Sequence, residues 1–175
     1  MLRSPISPAG IPPRGMVTAQ VALSLSALMA MLAVVADGGL LLVERRHAQA
    51  TADAAALAAA SDLYVNWSND NPSGTDSLGT ANSSALGVAS DNYTNDGTTV
   101  YWTVTVNISP AKYSGGPNAG TTLPPGYVEA TVTWYQQRFF SGIFGSGAIP
   151  VSARAVARSV YLVPGSSPSH VGLVE

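Results

Sequence analysis

The chain has 175 residues, a formal net charge of -2 and a charged fraction of 10%, far below the roughly one quarter usual in soluble globular proteins. Basic residues that are few and scattered give no cationic face for phosphate, so nucleic acid is excluded as an expected partner. The absence of cysteine excludes disulfide scaffolds, thiolate zinc sites and thiol nucleophiles.

Residues 1–15 carry four prolines among few apolar residues, a composition that neither propagates a helix nor packs, and are expected to be a disordered leader. Met16 to Ala36 is uncharged and rich in Ala, Leu, Val and Met; at ~1.5 Å per residue it spans about 31 Å, the thickness of a hydrocarbon core. This predicts a transmembrane helix. The competing reading, a cleaved export signal on a secreted surface-binding module, asks for an apolar core of roughly 7–15 residues. The run here is longer and its helical pattern does not stop. Arg3 and Arg14 precede the run, while Arg45 and Arg46 follow it, so the arginine bias favours a cytoplasmic N-terminus only slightly.

Asp37, one residue beyond the span, is expected to be solvated at the outer membrane surface, with recognition by assembly partners as its functional alternative. Gly38 and Gly39 disfavour helix by about 1 kcal/mol each relative to Ala and predict a kink or hinge there. Ala48, Ala52, Ala55, Ala56 and Ala59 then form a smooth stripe that admits another backbone at close range. If the helix is continuous from Met16 to Tyr64, within a span and stalk over 16–65, it is about 74 Å long, a length suited to packing against copies of itself or neighbours.

The turn formers from Asn66 to Ser77 end this helix. Leu78, Ala81, Ala85, Val88 and Ala89 recur at helical spacing, with Thr75 or Asp76 as cap, and predict a short helix to Asn92. Asn95-Asp96-Gly97 predicts a tight turn. Alternating apolar residues from Val100 to Ile108, Val128 to Trp134 and Ile149 to Ala157 predict three strands, with Glu129, Thr131, Thr133, Ser152, Arg154 and Arg158 facing out. The fold expected is therefore α+β: a long transmembrane helix continuing into a small extracytoplasmic domain, residues 66–163, with an antiparallel sheet and a short helix, then a disordered tail over 164–175.

Chemistry is sparse. His47 lies on the stalk, His170 in the tail, and Lys112 in a loop with no apolar surroundings, so no nucleophile and base are expected to meet. Asn69, Asp70, Asn71 and Asp76, and Asp91, Asn92, Asn95 and Asp96, offer oxygen ligands without the spacing of a calcium loop, and ordinary turn chemistry accounts for them. No catalytic, cofactor or metal residue is expected, and no small-molecule substrate.

The segment VVADGGLLLVERRHAQATADAAALAAA resembles the N-terminal segment of the TadE/TadG-like proteins of bacterial Tad (tight adherence, Flp) pilus systems. Their pattern of Arg-Gly, apolar span, Asp-x-Gly, Arg pair and Ala-rich run is met by Arg14-Gly15, Asp37-Gly38-Gly39, Arg45-Arg46, Gln49, Asp53 and the alanines to Ala60. Phe139 to Ala157 also looks like the closing strand region of such domains. The resemblance implies a bitopic inner-membrane protein with a cytoplasmic N-terminus and a periplasmic domain. It also implies a non-enzymatic role among pilus-assembly partners, in pilus biogenesis, adhesion or associated secretion; self-association through the long helix is the expectation its length adds.

Larger TadG-like proteins carry a von Willebrand factor A-type domain with a metal-dependent adhesion site. This chain is too short for one, and neither that metal nor that site is carried over. TadE-like members resemble prepilins, cut after a Gly with Glu at the fifth mature position. Cutting after Gly15 would place Gln20 there, an amide with no carboxylate to offer a neighbouring subunit. A minor pseudopilin cleaved after Gly15 is the alternative that the resemblance implies.

Overall fold

The computed structural model describes residues 15–67, 73–93, 101–143 and 145–160. The expected leader before Gly15, the Asn95-Asp96-Gly97 turn and the tail lie outside the described residues, as do Asn69, Asp70, Asn71 and His170.

A single α-helix of 50 residues, α1, runs from Met16 to Val65 and passes through Gly38 and Gly39 without a break. Two glycines cost helix propensity but do not interrupt the hydrogen-bond ladder, and tertiary packing offsets a penalty of about 1 kcal/mol each. After it come α2 (Thr80–Asn92) and strands β1 (Trp102–Ile108), β2 (Tyr127–Gln136) and β3 (Ile149–Arg158). A short 3-10 turn, Ser141–Ile143, interrupts the connection between β2 and β3. The sheet is antiparallel in the order β1-β2-β3. The α+β class, the long helix, the short helix and the antiparallel sheet are all as expected.

The sheet packs mainly on α1, while α2 lies along α1 and meets the sheet chiefly at β1. Small side chains make this possible. Ala48, Ala52, Ala55 and Ala59 have no exposed surface and share the core with Ala81, Ala85 and Ala89 of α2 and with Val128, Ala130 and Val132 of β2. Alanine at each contact lets helix and sheet backbones approach closely, and interior packing leaves little slack for a larger group. The alanine stripe therefore meets the chain's own sheet and α2. It is not open to a second chain.

Across the sheet the register places Trp102 opposite Trp134, and Val104, Val106 and Ile108 opposite Val132, Ala130 and Val128, all on the α1 side. Tyr93, directly after α2, closes the end of this layer. Its ring lies 5.7 Å from Trp102, 5.0 Å from Trp134 and 4.4 Å from His47 on α1. Burial, and next the negative charge of Glu44, push its hydroxyl up to about 12.

α2 starts at a glycine because its preceding residue, Gly79, has φ of 76°, in the left-handed region. Asp76 still caps the helix: its carboxylate accepts the amides of Ala81 at 3.2 Å and Asn82 at 2.8 Å from outside the first turn. Leu78 is exposed and contributes nothing to the core.

Glu129 corrects the alternation argument. It sits on the face away from α1, paired with Asn107 on β1 and Val156 on β3, where solvent was expected. It is fully buried, because the connection from β1 to β2 folds back over that face. Within that connection Gly120 donates its amide to the Tyr113 carbonyl at 2.9 Å, and Tyr113 donates to the Thr121 carbonyl at 3.0 Å. The carboxylate accepts from the Ser114 amide at 2.6 Å, from Asn107 Nδ2 at 2.9 Å and from Arg154 Nη1 at 2.7 Å. Burial pushes this carboxyl up, but the Ser114 amide, Asn107 and Arg154 together outweigh it and hold it below its ordinary value.

Two outcomes follow. Ala55→Leu forces a larger side chain between α1 and the sheet and is expected to destabilise the domain by about 1–3 kcal/mol in chemical denaturation, whereas exposed Leu57→Ala on the same helix is expected to change it by less than about 0.5 kcal/mol. Glu129 has a folded-state value below its unfolded one, so its contribution is present above the unfolded value and lost as pH falls through the folded one. The melting temperature should therefore drop on acidification below the ordinary glutamate range. Glu129→Gln should lower stability at neutral pH by about 1–2 kcal/mol, toward the low end because Arg154 is part-exposed, and should flatten that acid limb.

Candidate functional site

The place where α1 passes from bare to covered is built around Asp37. Every residue from Met16 to Leu32 is exposed, and the first buried positions along the helix are Ala33 and Asp37, one turn apart on the same face. β2 ends at Gln136 and the chain turns through Arg138, Phe139 and Phe140 into the Ser141–Ile143 turn. The leading amides of such a turn have no partner within it and need an outside acceptor.

Asp37 supplies that acceptor from 103 and 104 positions earlier in the chain: Oδ1 accepts the Phe140 amide at 3.3 Å and Oδ2 the Ser141 amide at 2.7 Å. The Ser141 side chain, then its amide and that of Phe140, hold the Asp37 carboxyl below its ordinary value, although the Ser141 hydroxyl makes no hydrogen bond of standard geometry. The crevice between Asp37, Leu40 and Leu41 on the helix and Gln136, Arg138 and Ile149 on the sheet is too tight for a water molecule. Asp37 is thus a buried cap joining helix and loop, and the solvated interfacial carboxylate expected from the sequence is not what is found.

About 18 Å farther along α1, three helical turns past the joint, a second clasp engages the edge strand. Gln49 Nε2 donates to Asp53 Oδ1 at 2.9 Å on its own helix and to the Arg154 carbonyl on β3 at 3.3 Å. The far end is closed by Asp62, which accepts Thr80 Oγ1 at 2.7 Å and Ser84 Oγ at 3.2 Å and so ties α1 to α2. Gly126, with φ of 80°, sits where an added Cβ would lie 2.7 Å from the Ser159 carbonyl, so the β1–β2 connection meets the end of β3 only through glycine.

The residues singled out from the sequence thus divide. Asp37, Gln49 and Asp53 serve contacts that fix α1 on the sheet domain, Asp53 by bonding Gln49. Gly38 is half-buried beside the joint. Gly15 is exposed at the head of the helix, Gln20 is exposed on its bare half, and Arg45 and Arg46 point to solvent. Glu129 with Arg154, and Tyr93 with His47, were missed as organising contacts. The sequence signal for the first pair is a Glu and an Arg on the same face of neighbouring alternating strands, at diagonal positions of the register. Among the described residues no group of three His, Cys, Asp or Glu side chains is gathered to hold a metal. Lys112 is exposed and takes part only in an isolated bridge with Thr122. These contacts position the elements relative to one another.

Removing the cap is expected to act locally. Asp37→Ala leaves two part-buried amides without their acceptor, a loss of about 1–2 kcal/mol. Amide exchange at Phe140 and Ser141 should accelerate while Ala52 to Leu63 keeps its protection. Asp37→Asn, which keeps an acceptor oxygen, should lie between wild type and Asp37→Ala.

Residues 15–62 match the protein family described as Putative Flp pilus-assembly TadE/G-like. No curated protein and no solved structure matches the chain. The match coincides with α1 and stops short of α2 and the three strands. The Asp37 joint, the arginine pair and the Gln49 clasp all lie within the stretch that is similar to this family.

Proposed function

We propose that the chain is a non-enzymatic, membrane-anchored component of Tad/Flp pilus assembly that acts by holding a small periplasmic domain rigidly at the surface of the inner membrane. One observation carries this reading: a single unbroken helix is uncharged and wholly exposed over Met16 to Leu32, yet buried on one face from Ala48 to Leu63 by its own domain. The first part is long and apolar enough to cross a membrane, and all but the last three residues of the helix lie in the segment that matches the pilus-assembly family. In this reading residues 1–15 are cytoplasmic, 16–65 form the span and stalk, and 66–163 lie in the periplasm. Self-association and contacts with other assembly proteins use the bare half of α1, because the alanine stripe is already occupied.

A second reading has its own observation. Gly15 is exposed immediately before the first helical residue, the position a prepilin peptidase would cut in a minor pseudopilin. Intact mass of the protein extracted from membranes separates the two. The anchor reading expects the mass of residues 1–175, retention in the pellet after alkaline extraction, and digestion of the sheet domain by protease added to spheroplasts. A mass beginning at Met16 supports the pseudopilin. A soluble product starting after Ala50 or Ala60 sinks both and supports a secreted module.

A further inference from the structure

We propose that Phe139 and Phe140 form a second membrane contact, inserting into the surface of the leaflet from which α1 emerges. The proposal rests on the anchor reading above and adds a site to it. Phe139 is 68% and Phe140 51% exposed, although neighbouring β2 and β3 bury their apolar residues against α1. Two adjacent exposed phenylalanines contribute nothing to the domain's core and need another apolar medium.

Their position along the membrane normal is fixed by the Asp37 joint. Asp37 is the first charged residue after the uncharged run, so in a spanning helix it lies at the outer surface of the bilayer. The Phe140 and Ser141 amides are hydrogen-bonded to that same carboxylate, which leaves the adjoining rings at the same level. Burial of the helix also begins at Ala33, about 6 Å before Asp37 and inside the uncharged run, so the protein covers the helix down to lipid depth.

Chemistry selects lipid as the occupant over a protein groove. Phenylalanine has no polar tip that must reach water, and it suits the boundary between headgroups and acyl chains, where apolar faces of interfacial segments sit. Arg138, next in sequence and exposed, supplies a cation at headgroup level, and its Nε donates to the Gly147 carbonyl at 3.1 Å, closing the loop on itself. The domain therefore rests on the bilayer through a loop, in addition to being tethered by the helix.

The chain has no cysteine, so single nitroxide labels can be placed cleanly. Full-length protein carrying Leu28→Cys, Gly142→Cys or Thr105→Cys is reconstituted in phosphatidylethanolamine/phosphatidylglycerol vesicles. Collision with oxygen, which is lipid-soluble, is compared with collision with a water-soluble nickel chelate. An added side chain at Gly142 meets nothing within 4 Å, so both phenylalanines and the loop are preserved. The label at 28 should be oxygen-dominated and that at 105 nickel-dominated. At 142, nickel accessibility should be lower than at 105 by roughly tenfold, the partition preference of a buried aromatic side chain. Adding Phe139→Ser and Phe140→Ser to Gly142→Cys should return the label to the behaviour seen at 105, with circular dichroism unchanged.

A label at 142 that matches 105 while 28 is in lipid overturns the insertion and leaves the anchor standing. A label at 142 shielded from both agents means that protein covers the loop, and it also overturns the insertion. A water-accessible label at 28 overturns the anchor and the insertion together.

Discussion

Close approach of one helix to one sheet, made possible by alanine, is the constraint on which the rest of this structure depends. Where α1 meets the sheet and α2, its buried residues are mostly alanine, Ala48, Ala52, Ala55, Ala56, Ala59 and Ala60, joined by Thr51 and Leu63; where it meets nothing of its own chain, the large residues are Leu, Val and Met. A helix lined with leucine against the sheet would stand farther off, and neither the Gln49 clasp to Arg154 nor the Asp37 cap on the Ser141 turn would reach. With three contacts spaced along its covered length, at Asp37, Gln49 and Asp62, the helix cannot swing about any one of them. The two glycines at 38 and 39 thereby lose the freedom they would have in an isolated peptide, because the Asp37 cap and the crevice against Leu40 and Leu41 hold the backbone on either side.

Much of this was legible in residue order. Periodicity in the alanines, the uncharged run and the three alternating strands each reflect a local preference that tertiary contacts reinforce, and the strand limits at Ile108 and Ile149 fall where the pattern places them. What failed to read were contacts between residues far apart in sequence. Asp37 has the same identity whether it is solvated or caps a turn a hundred residues later, and only the returning loop decides. Glu129 obeys strand alternation, but alternation assigns a face and says nothing about whether a loop covers it. The alanine stripe was correctly read as a surface for close approach, yet sequence alone could not tell that the partner is the chain's own sheet. Tyr93 stood outside every periodic pattern because its role begins where α2 stops.

The proposed anchor has a physical consequence. In that proposal, force or contact at the sheet domain would be transmitted to the bilayer through one continuous helix, and the exposed aromatic loop beside Asp37 would set the domain's height above the lipid. Two surfaces of opposite character are open to partners in that proposal: the bare apolar half of α1, and the polar outer face of the sheet, where Thr103, Thr105 and Ser152 are exposed.

Rigidity of that single helix is the central claim, and hydrogen exchange resolved along α1, with the full chain in lipid nanodiscs, tests it most directly. The account predicts unbroken protection from residue 21 to Leu63, with residues 38 to 42 exchanging no faster than their neighbours. Rapid exchange confined to the few residues after Asp37 would mean that span and stalk are two helices joined by a hinge, and would contradict it.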